Sequence, residues 1–550
     1  MKKITLIVVC LFVSSFGYAQ SAVWQWSERA GGTWSEYANR LTTDANGNIY
    51  ITGDFGSDTL IFGSDTLFAP GGFFIAKYDA SGNALWARRA GGIGAQAGRG
   101  ISTDVNGNIY VGGYFRGSSI TFGSFILNNS IGACPNGCAD IFVVKYDSTG
   151  NVLWARKAGA PDHDYGQNIS VDANGNVFVT GYFYSNSIIF GIDTITNAGA
   201  WDAFVAKYDS SGNELWARSA GGTNEDRSMG ISTDISGNVF ITGYFVSPSM
   251  NFGSTTLTNN GIFIAKYNAS GNLLWARGAG GTANDFGIAV STDVNGNTYL
   301  TGRFGSSSIT FGPSTLTTNG YYLAKYDSSG NAIWGRCANE SGINDGNGIA
   351  TDASGNVVVT GSFSTPTITF GNISLINAGG QNVFVVKYDT AGNVLWATNA
   401  SGIGYDEGWG IAVDVGGNTI ISGEFSSPSL TIGSNTLVNA ATNGSSDIFV
   451  AKLDYTTRIV ENNNSLSAIN LFPNPASSEI IVESGKFNVE RIEMYNVVGE
   501  RVKEIYLTSN PSPSGEGSAS IDVSELIPGI YFVAVTDEAG NRVVRKVVKM

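Results

Sequence analysis

The sequence predicts an all-β protein: a seven-bladed β-propeller closed by an N-terminal strand, followed by a small C-terminal β-sandwich. Three observations predict it. Glycine is abundant at 73 of 550 residues, aromatics reach 12% and charged residues only 14%, a composition suited to short strands and tight turns. The stretch "TDANGNIY" at Thr43 returns with small changes at Thr103, Val171, Thr233, Thr292, Thr351 and Val413, a period of roughly 60 residues. A tryptophan precedes each turn aspartate by a constant 18 positions, from Trp26 and Asp44 to Trp396 and Asp414.

The chain begins with Lys2 and Lys3, an apolar run from Ile4 to Phe16 and the small residues of "GYAQ". This is the pattern of a secretory signal peptide, expected over residues 1–19. Cys10 lacks the small preceding residue that a lipidated cysteine needs. No other apolar run is long enough to span a bilayer. The net charge of −14 argues against nucleic acid and anionic membrane surfaces as partners.

Residues 20–454 are the repeats. Within a unit four strands are expected, as in "GISTD", "NIYVGGYF", "DIFVVKYD" and "NVLWARKAG". Each is rich in Val, Ile, Tyr, Phe or Trp and bounded by Gly, Asn and Ser. The first and second strands form one hairpin, the third and fourth another. Both are closed by a D-x-x-G-N-like turn, with Asp and Asn bonding the local backbone and Gly taking positive φ.

These turns also resemble calcium loops. A calcium loop of the D-x-D-x-D-G kind presents several carboxylates and a distal acid, whereas each turn here offers one Asp. The reading adopted is a turn used seven times, with no cofactor; weak calcium binding is the alternative.

Closure follows from the ends of the array. Trp26 lies on a fourth strand with no first three before it. The seventh unit, ending "FVAKLD" at Asp454, has three strands and lacks a fourth. The orphans complete one another, so the N-terminal strand closes the last sheet. "LWARxAGG", "STDxNGNIYVTGYF" and "DIFVAKYDSSGN" together resemble the bacterial β-propeller repeat called SBBP, over roughly Val23 to Asp454. The resemblance implies an extracellular or surface propeller and no single activity.

A polar connector, "YTTRIVENNNSLSA", reads as a linker over 455–468. From 469 to 550 a second β pattern suggests a small sandwich. Its "LFPNP", "NVVGERV", "DVSELIPGIYFVAV" and terminal "RKVVKM" resemble the type A sorting domain of type IX secretion. The matching residues include Pro473, Asn474, Pro475, Gly499, Gly529 and Tyr531; Asn496 stands where many relatives have Asp. The resemblance implies the type IX machinery as a partner. It also implies passage through the periplasm and outer membrane to the cell surface or medium.

Candidate site residues come from positions compared between units. Eight residues before the turn Asp stand Glu36, Asp164, Asp226, Asp285 and Asp406, with Asn344 and Gln96 at the same place. If the first strand is innermost, these acids ring one mouth of the channel. Paired carboxylates there would suit glycoside cleavage; the preferred reading is a structural bond to the loop. His163, the single histidine, has no nucleophile motif beside it. Before the recurring Phe of the second strand the residue varies: Asp54, Tyr114, Tyr182, Tyr244, Arg303, Ser362 and Glu424. Variation on a fixed scaffold marks a binding surface, with Tyr114, Tyr182, Tyr244 and Arg303 as candidate contacts to a protein or glycan; blade packing is the alternative. Length varies mainly between the second and third strands, where an extra β arm is expected. Cys134 and Cys138 suit a local disulfide in an oxidising compartment, and Cys337 a buried thiol. The functional expectation is an exported, non-enzymatic binding propeller. The alternatives are a secreted glycan hydrolase and a structural envelope protein.

Overall fold

Hairpin follows hairpin along most of the chain, as the turn signals require. The computed structural model describes residues 22–68, 71–130, 137–281, 283–441, 443–454, 470–483, 489–496, 501–506, 518–537 and 542–550. The expected signal segment and linker lie outside these residues. Among the described residues every regular element is a strand. The chain divides into two units, 1–456 and 457–550.

Unit 1 contains seven four-stranded antiparallel sheets. Six take their strands consecutively from the sequence. In the first, Glu36–Thr43 pairs with Ile49–Phe55, then Gly72–Tyr78, then Ala84–Arg89. The seventh joins Asp406–Val413, Thr419–Phe425 and Asp447–Asp454 to Val23–Ala30 from the other end of the repeat region. The first strands pack on one another in order, and Asp406–Val413 packs against Glu36–Thr43. Between second and third strands each repeat inserts a short hairpin, such as Thr59–Phe62 with Asp65–Phe68.

The recurring turn has one geometry. Asp44 Oδ1 accepts the backbone N–H groups of Asn46 and Asn48, both at 2.9 Å. Its Oδ2 accepts Asn48 Nδ2 at 2.7 Å and the Tyr50 hydroxyl at 3.0 Å. Gly47 takes φ of 76°. The carboxylate is thus filled by its own chain. In several repeats a lysine of the third strand joins it, as Lys387 does with Asp352 at 2.8 Å.

The second turn of each repeat explains the "LWAR" motif. Trp154 donates its indole N–H to Ser210 O of the next sheet at 3.1 Å, and Arg156 Nε donates to Gly212 O at 2.8 Å. Lys145 of the neighbouring third strand donates to the same Ser210 O at 3.1 Å. Gly212 has φ of 81°, and a Cβ there would stand 2.8 Å from the indole. Glycine is needed for both reasons. Trp86, Trp216, Trp275 and Trp334 make the same bond to the sheet that follows each. Trp26 makes it to Ala80 O of the first sheet at 3.3 Å. Between these bonds the cores form from facing sheets: Tyr50, Phe73 and Ile75 of the first pack with Ile101, Val111 and Phe142 of the second.

Unit 2 has two antiparallel sheets. One holds Asn470–Phe472, Glu479–Glu483 and Ser518–Asp522. The other holds Val489–Asn496, Arg501–Tyr506, Gly529–Asp537 and Arg542–Lys549. Ile480, Val482 and Ile521 of the first share an apolar core with Ile492, Met494, Val533 and Val547 of the second.

Two outcomes follow. Removing residues 22–30 leaves the Asp447–Asp454 strand as an unpaired edge and invites self-association. The shortened protein should melt well below the parent and sediment as oligomers. Trp216→Ala should cost about 3–5 kcal/mol and Trp26→Ala less, since Trp26 is only half-buried. An unchanged melting temperature and monomer state after the deletion would contradict the closure. Second, because each turn carboxylate is filled from within, excess chelator should leave the melting temperature within about 1 °C. A large drop would return the turns to the calcium reading.

Candidate functional site

The recurring acids are located inside the protein. Glu36, Asp164, Asp226, Asp285 and Asp406 open their first strands and are all buried, as is Gln96. Each acid accepts a hydroxyl from a serine after the second strand. Ser185 reaches Asp164 at 2.9 Å, Ser247 reaches Asp226 at 2.8 Å, Ser306 reaches Asp285 at 2.8 Å and Ser427 reaches Asp406 at 2.7 Å. Ser57 does the same for Glu36. Backbone N–H groups of the preceding loop also point in, such as Ala160 N to Asp164 at 2.8 Å. Burial pushes Glu36 and Asp164 up to about 7 and Asp406 up to about 6. These carboxyls therefore do not ring an open mouth; they clasp loops.

The reason is the pleat. Successive side chains of a strand face opposite ways, so the residue after each acid faces the other side. Those residues are Tyr37, Ala97, Tyr165, Arg227, Phe286, Asp345 and Glu407. Each is paired across strands with the variable residue of the second strand: Tyr165 with Tyr182, Arg227 with Tyr244, Phe286 with Arg303, Glu407 with Glu424. Two sets of side chains, one from each strand, thus form one face. Sequence comparison flagged only the second set; aligning the units one position further along the first strand would have found the other.

Around this face the chemistry is uneven. The second to fifth sheets carry aromatic and cationic groups. Tyr114 meets Tyr165 edge-on at 4.8 Å, and Arg99 lies 5.6 Å from the Tyr114 ring. Tyr165, Tyr182 and Tyr184 all surround Trp201, at 5.7, 5.2 and 5.1 Å. Arg227 covers Tyr182 at 4.4 Å and pairs with Glu225 at 2.9 Å. Tyr244 donates to Glu225 at 2.6 Å and meets Phe286 edge-on at 4.7 Å. Arg303 lies over Phe286 and pairs with Asp345 at 3.3 Å. His163 stacks on Tyr165 at 5.9 Å and its Nδ1 accepts the Ala139 N–H; burial and then the Arg116 charge lower its affinity for a proton.

The sixth, seventh and first sheets carry acids. Burial pushes Glu424 up to about 8, and the charges of Glu407 and Asp54 add to this, while an indole hydrogen bond from Trp409 and the Arg99 charge oppose it. Glu407 and Asp345 are raised as well, first by burial. The first strands pack on one another in a closed series, so this face lies on the inner side of unit 1, where Glu424 feels charges from the first, second and seventh sheets. At the same end stand the loops that join fourth to first strands, with exposed Trp34, Ile93, Ile343 and Tyr405. Val105, Ile235, Val294 and Val415, in the turns, are exposed at the other end. A cleft of about 580 Å³ opens elsewhere, at the outer edge between two sheets, beside Thr196, Arg218, Phe252 and Leu273.

Cys138 is disulfide-bonded; Cys134 lies outside the described residues, and Cys337 is a half-buried free thiol. In unit 2, Asn474 Oδ1 accepts Val548 N at 2.9 Å and its Nδ2 donates to Lys546 O at 3.0 Å. The amide fastens "PNP" to the terminal strand, with Pro473 and Pro475 exposed on either side. Tyr531 donates to Ile527 O at 2.9 Å, and Gly529 opens that strand. Gly499 lies outside the described residues.

Residues 470–550 match the family described as the secretion system C-terminal sorting domain. Residues 25–54, 85–114 and 153–188 match the beta-propeller repeat family SBBP. The chain carries β-propeller repeats and a type IX sorting domain. The sorting domain directs export to the cell surface or the extracellular space and implies contact with the type IX machinery. Among the described residues no helix is long and apolar enough to cross a membrane. An uncharacterized WD repeat-containing protein of Acanthamoeba polyphaga mimivirus is 26% identical, over 74% of this chain and 36% of its own. The regulatory protein FlaEY of Caulobacter vibrioides is 31% identical over 20% of this chain and 12% of its own. The chain therefore spans about a third or less of these relatives. Among solved structures it is similar to Sqt1 from Chaetomium thermophilum, at 10% identity, covering 73% of this chain and 97% of that one, with TM-score 0.35. A gluconolactonase from Xanthomonas campestris gives 10% identity, 79% and 98% coverage, and TM-score 0.28.

The raised Glu424 carboxyl gives a signed outcome. Its folded value near 8 lies above the ordinary 4.5, so the folded state holds the proton more tightly. Ionisation as pH rises through that window works against folding. Glu424→Gln should leave the melting temperature at pH 5 little changed and raise it at pH 9. A difference between the two proteins that does not grow with pH would contradict the assignment.

Proposed function

We propose that the protein is a binding module carried out of the cell by its sorting domain. In this reading unit 1 is a closed seven-bladed propeller and unit 2 a small β-sandwich. The propeller recognises a glycan or protein at the face formed by the two variable strand positions, and does so without metal or catalysis. The observation that carries the reading is the contrast between scaffold and face. Turns, clasps and inter-sheet bonds repeat from sheet to sheet, whereas the paired face positions differ in every sheet. Packing alone has no need of that variety; recognition of an asymmetric partner does. Closure is supported by the continuous packing of first strands and by the pairing of Val23–Ala30 with Asp447–Asp454.

A secreted glycan hydrolase is the second reading. It draws on Glu407 and Glu424, directly opposite across two strands, with Glu424 suited to hold a proton at neutral pH. Paired carboxyls of that kind serve as acid and base in glycoside cleavage. The acids first suspected from sequence are occupied by their clasps.

One experiment separates the readings. The exported protein is applied to glycan and protein arrays beside two variants, one with Tyr165→Ala and Tyr244→Ala, the other with Val294→Ala at the opposite end. Binding should survive Val294→Ala and fall at least about tenfold in the double variant. Equal binding by all three would defeat the proposed face. Release of reducing sugar that stops in Glu424→Gln would favour the hydrolase.

A further inference from the structure

One part of the face is unlike its counterparts in the other sheets. Trp201 immediately precedes the third strand Asp202–Tyr208. The same position holds Gly71, Ala139, Asn260, Asn319, Gln381 and Ser446 in the other sheets. Tyr184 follows Phe183, and the same place in the neighbouring sheet holds Arg116. Around Trp201 gather Tyr165, Tyr182 and Tyr184, with His163 stacked behind Tyr165. Tyr182 is buried and anchors the group, while Tyr184 is 47% exposed and Trp201 half-exposed. The Tyr184 and Trp201 planes are inclined by 54°, so the cluster presents two angled aromatic faces, both partly open to solvent, from a buried base.

Arg116 stands at its edge. Its Nη2 donates to the Tyr165 hydroxyl at 2.6 Å, and its guanidinium lies 6.0 Å from that ring. Its Nε is buried and has no hydrogen-bond partner among the described residues. Arg116 forms no ion pair among the described residues; Arg156, Arg277 and Arg336 also form none, but they spend their N–H groups on backbone carbonyls, whereas Arg116 donates to the Tyr165 hydroxyl. A guanidinium held by a phenol, with no carboxylate partner among the described residues, in a chain of net charge −14, is placed to take a carboxylate through its Nη groups. The aromatic surface beside it is suited to the C–H face of a pyranose ring.

We propose that Arg116, Trp201 and Tyr184 form a subsite for a carboxylate-bearing sugar, a uronate unit of an anionic glycan. Trp201 and Tyr184 stack on the ring, and Arg116 pairs with its carboxylate. The inference rests on the face being a binding surface and adds the ligand class. A peptide carboxylate shares the charge but not the need for a broad stacking surface, so the glycan is favoured.

The test is titration calorimetry of the exported protein with trigalacturonate and with its methyl ester, which keeps the rings and removes the charges. The acid should bind about ten- to hundredfold more tightly than the ester. Arg116→Ala should abolish that preference and Arg116→Lys restore it in part. Tyr184→Ala, at the most exposed ring of the cluster, should weaken both ligands with the melting temperature kept, even if Trp201→Ala proves poorly folded. No binding of trigalacturonate at millimolar concentration would overturn the proposal. So would equal affinity for acid and ester, or tighter binding of a short peptide carboxylate. An array ligand lost in the Tyr165 and Tyr244 double variant but indifferent to Arg116→Ala and Tyr184→Ala would keep the face and overturn the uronate subsite.

Discussion

In six of the seven sheets the fourth-strand tryptophan reaches out of its own sheet and donates to a carbonyl in the turn of the next. Everything else in unit 1 is arranged around this bond. Alone it is worth about 0.5–1.5 kcal/mol, but it recurs and is reinforced. An arginine two residues on and a lysine of the adjacent third strand aim at the same turn. The turn must present carbonyls at a fixed place, so its length cannot change from repeat to repeat. Its glycine must offer a bare Cα for the indole to lie on. The repeat signature "KYDxxGNxLWAR" is thus two halves of one contact, each half meeting the other across a sheet boundary. The seventh sheet takes its fourth strand from the other end of the repeat region, so no turn of the repeat kind joins its third strand to its fourth, and Trp396 Nε1 finds no partner among the described residues.

The buried carboxyls do the same service at the other end of five of the sheets. Glu36, Asp164, Asp226, Asp285 and Asp406 collect a serine hydroxyl and loop N–H groups that would otherwise be buried without partners. Burial favours their neutral forms, yet the hydrogen bonds they accept favour the charged ones, and the balance puts Glu36 and Asp164 near neutrality. Where a second acid opens the neighbouring third strand, a base is supplied nearby for Asp140 by Lys157 and for Asp447 by Arg29. At Asp202 the corresponding residue is Ser219, and burial pushes that carboxyl up to about 6.

With the ends of most sheets fixed in this way, the first and second strands can vary where they face the centre. The result is an aromatic and cationic half opposite an acidic half. Unit 2 follows a similar economy: one amide, Asn474, holds an exposed proline pair against the terminal strand.

The sequence by itself determined the period, the four strands of each repeat, the two turns and the complementary orphan strands at the ends of the array. All of these are local: alternation of apolar residues, glycine at positive φ and Asp–Asn turn chemistry act within a few residues, and spacing is visible in one dimension. It also placed Tyr114, Tyr182, Tyr244 and Arg303 among the variable positions. Only the tertiary structure decided what those positions meet. Whether an acid at the start of a strand faces a channel or a loop depends on the pleat, and a shift of one residue reverses the answer. That shift hid Tyr165, Arg227 and Glu407 and made buried clasps resemble an active site. Trp201 and Arg116, too, are far apart in sequence and unremarked by any motif. Each meets Tyr165, Arg116 through its hydroxyl and Trp201 against its ring, because neighbouring sheets bring loops from different repeats to one end, an arrangement that no single repeat encodes.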